Sequence, residues 1–171
     1  MELWDLYDRD QRLTGETHRR GDVIPQGRYH LVVHVWITNS KGEWLISQRA
    51  ANRPTFPLKW ECAGGSVTAG EDSLTGAIRE AEEEVGVKLD PAQGKLISST
   101  RRDGHFQDFR EVWRFIYDGE INLADATTDE VADARWMTVE EYRRLFDAGE
   151  GIYTHAYFFE EKALGSSADD N

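Results

Sequence analysis

Three glutamates, Glu80, Glu83 and Glu84, stand at positions i, i+3 and i+4 of one short stretch. On a helix, at about 100° per residue, they share roughly a 100° arc while Glu82 projects elsewhere. Like charges at this spacing repel by a few tenths of a kcal/mol per pair. Solvent can absorb that repulsion, and so can a bound cation. Carboxylate oxygens are hard donors suited to Mg²⁺ or Mn²⁺. A charge run is also how a solvated helix face looks, so the three residues alone leave both readings open.

The wider spacing narrows the choice. The chain reads Gly65, five residues, Glu71, seven residues, then Arg79-Glu80-Ala81, Glu83-Glu84 and Gly86-Val87. This resembles the Nudix box at every fixed position, a match expected by chance on the order of once in a billion starting points. The likeness runs from about Tyr29 to Leu145. It implies a hydrolase in which Mg²⁺ or Mn²⁺ on the box helix activates a water against a diphosphate linkage. By position, the resemblance makes Glu80, Glu83 and Glu84 metal ligands, with Glu80 or Glu83 also assisting as base. The Gly65 carbonyl would add an oxygen ligand, since a residue without a side chain lets backbone approach an ion. Arg79 would hold the glutamates in place, and Glu71 would anchor the loop or serve a second metal.

Outside the box the assignments are looser. Glu111 and Glu130 are candidates for an external general base, against the plain reading of surface glutamates. Among Arg49, Arg53, Lys59, Arg101 and Arg102, Arg49 stands out for phosphate contact because it ends a strand beside the site and its guanidinium suits bidentate binding. Arg53 and Phe106 join it as substrate-binding candidates, with His105 and Trp36 able to stack on a base or to pack in the core. His18, His30 and His34 are open to ligation but fit packed, hydrogen-bonded histidines better.

Elements must position these groups. Leu74, Ala77, Ile78, Ala81 and Val85 form the apolar stripe of an amphipathic helix, capped by Asp72 or Ser73 and closed by Gly86. Residues 30–38 alternate as a strand with large side chains on both faces, and Asn39-Ser40-Lys41-Gly42 turns into a second strand over 44–48. Further strands are expected over 60–63, 95–101, 111–117 and 134–137, with a polar loop at 102–110. A helix starts at Thr138, and a last helical stretch covers roughly residues 153–164. The expected fold is α/β, an α/β/α sandwich around a mixed sheet, which is also the Nudix fold. Residues 1–27 read as an N-terminal hairpin and connector, 28–164 as the Nudix domain and 165–171 as a disordered tail.

With 171 residues the chain suits one α/β domain. The single Cys62 excludes an intramolecular disulfide and makes a reducing, cytoplasmic setting the default. A net charge of −12 argues against nonspecific binding to nucleic acid or an anionic membrane. The expected partner is a small phosphorylated molecule, and oligomeric state stays open, a homodimer included. Two rivals stand beside the hydrolase. Gly42-Glu43-Trp44-Leu45-Ile46-Ser47-Gln48-Arg49, followed by Thr55-Phe56-Pro57 and Trp60, resembles type 1 isopentenyl-diphosphate isomerases. Those use a cysteine and a histidine where this chain has Gly64 and Ser66, and a glutamate where it has Phe109. The third class is a non-catalytic binding module, which has no need of the box glutamates.

Overall fold

Alternating large apolar side chains on both faces of one strand make the central layer of this protein. The computed structural model describes residues 1–160 and Leu164. The nine strands are β1 (Leu3–Tyr7), β2 (Leu13–Arg19), β3 (His30–Thr38), β4 (Trp44–Arg49), β5 (Trp60–Glu61), β6 (Ala63–Ser66), β7 (Gly94–Arg102), β8 (Asp108–Ile116) and β9 (Val131–Met137). The α-helices are α1 (Ser73–Val85) and α2 (Val139–Asp147), followed by a 3₁₀ helix, Tyr153–Phe159. β1 and β2 form a separate antiparallel hairpin. The main sheet runs β5-β4-β3-β8-β7, with β6 added to β3 and β9 to β4. β3 and β8 are parallel and the other pairs antiparallel, so the sheet is mixed as expected.

The two faces of β3 build two cores. Leu31, Val33, Val35 and Ile37 pack with Ala77, Ala81 and Val85 of α1. Trp36 packs with Tyr142 of α2 and stacks on Phe158 at 4.5 Å. Burying such side chains stabilises by about 1.5–3 kcal/mol each, which fixes α1 on one face and α2 with the 3₁₀ helix on the other. Asp72, not Ser73, caps α1, accepting from Thr75 N at 2.8 Å, and Gly86 closes it at φ 69°.

Several boundaries differ from expectation. β8 starts at Asp108 rather than residue 111 because Asp108 is neutralised in place by Arg102, through two 2.7 Å hydrogen bonds. A charge that reads as loop in the sequence is a buried ion pair in the strand. β9 likewise starts at Val131, and β4 extends to Arg49. The single strand expected over 60–63 splits at Cys62, where the chain leaves β4 and joins β3. The last helical stretch is 3₁₀ and has no side-chain N-cap. The tail expected at 165–171 lies outside the described residues.

Candidate active site

The box loop and helix meet at β6. Gly64 and Gly65 pair with His34 and Val33 of β3, and α1 lies across them. A Cβ on Gly64 would collide with the Val33 carbonyl, and one on Gly65 would stand 2.6 Å from the Glu80 carboxylate. Gly64 is therefore required by close approach to backbone, while at Gly65 the missing Cβ leaves room for a site carboxylate.

Arg79 organises the carboxylates. Its Nε donates to Glu71 Oε1 at 2.7 Å, and its Nη1 donates to Glu80 Oε1 and Glu83 Oε2, each at 3.0 Å. Its Nη2 donates to Glu71 Oε2 and to the Ser66 carbonyl, both at 3.1 Å. Burial works against the guanidinium charge, but the carboxylates of Glu71 and Glu80 raise its pKa overall. Glu71 also accepts from Thr68 N at 3.1 Å, so both its oxygens are engaged within the loop. Glu71 is thus tied into the loop, the anchoring role that was one of its two expected ones, and it does not line the cavity described next.

A cavity of about 420 Å³ is lined by Gly64, Gly65, Arg79, Glu80, Glu83 and Glu84, by Arg49, Arg53, Thr55 and Glu130, and by Glu2 and Arg20 of the hairpin. Burial pushes Glu80 up to about 7 and also raises Glu84, which is 8% exposed and accepts from Gly64 N at 3.3 Å. Glu83 and Glu84 sit in the last turn of α1, where the helix dipole disfavours anions by about 0.3–1 kcal/mol each.

Arg49 and Arg53 are held at the rim. Arg49 bonds Glu61 at 2.9 Å and the carbonyl and hydroxyl of Thr55. Arg53 bonds Glu130 at 3.2 Å, while its Nε is buried and has no hydrogen-bond partner. Glu61 is the residue the sequence reading missed. Burial raises its pKa, with Arg49 opposing, and its charge reaches Glu84. The only sequence signal was alternation along the strand next to buried Trp60.

The position of Glu130 depends on a backbone contact. Gly86 ends α1, and the freed Glu83 carbonyl accepts from Thr127 N at 3.0 Å and from Thr128 N and Oγ1, both at 3.1 Å. Glu130 follows two residues later, and its carbonyl accepts from Ala50 N at 2.8 Å.

Other expected residues lie elsewhere. Glu111 pairs in register with Val33, on the α1 side of the sheet, and accepts from Gln11 of the hairpin turn at 2.6 Å. It does not line the cavity. Phe106 sits in the β7–β8 turn with Arg102 stacked 4.2 Å over its ring, also away from the cavity. Lys59 and Arg101 bond backbone carbonyls of Gly149 and Arg9, and Trp36 is core. His18 and His30 pack around Trp4, His30 stacking on it at 4.1 Å.

The family description NUDIX domain matches residues 28–158. An uncharacterized Nudix hydrolase of Listeria monocytogenes is 39% identical over 163 residues, covering 93% of this chain and 91% of the relative. An isopentenyl-diphosphate Delta-isomerase of Camptotheca acuminata is 27% identical over 170 residues, covering 85% and 72%. A crystal structure of a Deinococcus radiodurans protein superposes with a TM-score of 0.68 at 24% identity, covering 88% of this chain and 91% of that one, a likeness of fold. With the box helix, its loop and its sheet in place, these matches make the chain a member of the Nudix hydrolase family.

Proposed function

We propose that the protein hydrolyses the diphosphate linkage of a small organic diphosphate, a nucleoside diphosphate derivative or a similar pyrophosphate, with Mg²⁺ or Mn²⁺ as its metal. The observation that carries this reading is one cavity holding Glu80, Glu83 and Glu84 opposite two arginines, one with an unpartnered buried N–H. The residues fit a hard divalent ion. Their donors are all oxygens, burial leaves Glu80 and Glu84 short of compensating charge, and Gly65 keeps open the space beside Glu80. The single Arg79 Nη1 shared by Glu80 and Glu83 marks where positive charge is wanted.

Glu80, Glu83 and Glu84 would hold the ion, with the Gly65 carbonyl as a further donor. When bound, it supplies Lewis-acid polarisation of phosphoryl oxygens, charge neutralisation and a more acidic water. Arg79 fixes the glutamates through its fork of hydrogen bonds. Arg53 Nε and the Arg49 N–H groups not engaged by Thr55 and Glu61 would bind phosphate oxygens. Glu130, at the same rim, replaces Glu111 as the external carboxylate that can take a proton from water. Cys62 lies in a neighbouring cavity, and Gly64 and Ser66 cannot move a proton as a thiol and imidazole do, which weighs against isomerisation. The cytoplasmic setting expected from the single cysteine belongs to the same proposal.

The test is a phosphate-release screen over nucleotide and non-nucleotide diphosphates with Mg²⁺, with products identified by mass. Cleavage of a diphosphate bond that is abolished by chelation supports the reading. Conversion of isopentenyl diphosphate to dimethylallyl diphosphate, with no hydrolysis in the panel, overturns it.

A further inference from the structure

On the sheet face away from α1, two chain segments bring together groups the diphosphate reading does not use. Trp60 N donates to the Glu150 carbonyl at 2.8 Å and Ile152 N donates to the Trp60 carbonyl at 3.2 Å. That bridge sets Cys62, at the break between β5 and β6, against His155 of the 3₁₀ helix, with Sγ 3.8 Å from Nδ1. His34 of β3 completes the group, its ring centroid 4.4 Å from that of His155. Among the described residues, these three form the one set of histidine, cysteine and acidic side chains whose donor atoms all lie within 4.8 Å of one another. All three are buried.

We propose that His34, Cys62 and His155 are a binding site for a soft divalent metal of the zinc class, distinct from the carboxylate cavity. Two imidazoles and a thiolate are the donors such an ion selects over Mg²⁺. In a tetrahedral zinc site with Zn–S of about 2.3 Å and Zn–N of about 2.0 Å, sulfur and nitrogen stand about 3.5 Å apart. The observed 3.8 Å is close to that edge. His34 Nδ1 bonds the Tyr157 hydroxyl at 2.7 Å, which also accepts from Trp36 Nε1 at 2.8 Å. With Nδ1–H donating to that hydroxyl, Tyr157 is the outer-sphere partner that orients a metal-ligating imidazole and leaves Nε2 for the ion. Burial keeps both imidazoles neutral, the form that ligates. The three residues line a cavity of about 160 Å³ with Glu61, Gly64 and Gly65, which leaves room for a fourth ligand. Burial, reinforced by Glu61 and Glu84, holds the Cys62 thiol well above its ordinary pKa, so a bound ion must displace its proton, while Arg110, stacked 4.2 Å over Tyr157, acts on the imidazoles. A metal here pins β3, the β5–β6 break and the 3₁₀ helix together behind the Gly64-Gly65 loop.

The proposal stands independently of the diphosphate reading, and its test separates the two. Protein stripped with chelator under reducing conditions is titrated with Co²⁺ in excess Mg²⁺, which occupies hard oxygen sites. The expected result is a sulfur-to-cobalt charge-transfer band with intense tetrahedral d–d absorption, saturating at one equivalent and bleached by Zn²⁺. Glu83→Gln should retain the band, whereas Cys62→Ala should lose it and His155→Gln should weaken or lose it. Circular dichroism of each variant checks folding. Should His155→Gln fail to fold, Cys62→Ala, a small change in volume, decides alone, with thermal shifts on Zn²⁺ addition as the second readout. A Zn²⁺ shift in wild type and Glu83→Gln that is absent in Cys62→Ala supports the site. Wild-type protein with no thiolate band, or a band that survives Cys62→Ala, overturns it.

Discussion

Two clusters of titratable side chains lie on either side of the Gly64-Gly65 loop, and they are built in opposite ways. The histidine–cysteine group is closed, neutral and preassembled, with its donors within 4.8 Å. The box carboxylates are spread, and among the described residues no three of them come that close. Arg79 stands between Glu80 and Glu83 instead. The difference follows from charge. Neutral donors can be packed to ligand spacing by the fold alone, while anions repel and need a guanidinium or an ion to gather them. A cluster of carboxylates kept apart by an arginine is poised for something cationic to arrive, while in the other cluster an arriving metal would have to displace the Cys62 proton.

The largest effect should come from breaking the charged side. Glu83→Gln and Glu84→Gln should each lower turnover by about 10²-fold or more, with melting temperature held or raised because repulsion on α1 is relieved. Cys62→Ala, on the other side, should keep turnover near wild type. Steady-state kinetics on the best substrate checks both, and wild-type rates in both glutamine variants would remove the metal assignment.

The glycines sharpen the comparison at the level of folding. Gly64→Ala drives a Cβ into the Val33 carbonyl, a contact that backbone cannot yield cheaply. It should cost about 1–3 kcal/mol or more of stability, seen as a lowered denaturation midpoint. Gly65→Ala meets only the movable end of Glu80, so it should unfold near wild type while losing Mg²⁺-dependent activity. Equal loss of stability in both would show that the Gly65 position is a packing requirement, with no separate part in the site.

The smallest effect is in pH, where buried carboxylates and buried histidines oppose each other. Burial raises Glu80 from 4.5 to about 7, so its stability contribution is present below 4.5 and is lost as pH rises toward 7. Burial lowers His155 from 6.5 to about 3 and His30 to about 4, so theirs is present above 6.5 and is lost as pH falls. Between about 4.5 and 6.5 the slopes offset, each group being worth on the order of 1–3 kcal/mol. In metal-free protein, Glu80→Gln should make stability rise more steeply with pH than in wild type, and His30→Gln should make it rise less. Melting curves across that window would contradict the assignment if the two variants shifted the slope the same way.

The helix, its caps and its three outward glutamates were legible because a period of 3.6 and a fixed motif need only local sequence. The central strand was legible for the same reason. What escaped depends on partners far along the chain. Glu61 joins the site because β5 pairs with β4 while β6, one residue later, pairs with β3. Glu111 was read toward the site, yet the hairpin turn takes it through Gln11, 100 residues away. Phe106 is claimed by Arg102, which itself holds Asp108 in β8. None of those pairings leaves a periodic trace. The 93-residue separation of Cys62 from His155 hides the second cluster in the same way.

The Glu83 carbonyl gives this arrangement a time dimension. One residue offers its carboxylate to the cavity and its backbone oxygen to Thr127 and Thr128. If residues 127–128 let go of that oxygen, Glu130 keeps its own anchors, the carbonyl bond from Ala50 N and the ion pair with Arg53, so the release stays local. Hydrogen exchange at the Thr127 and Thr128 amides would report how often that happens, and a ligand bridging Glu83 to Arg53 should slow it.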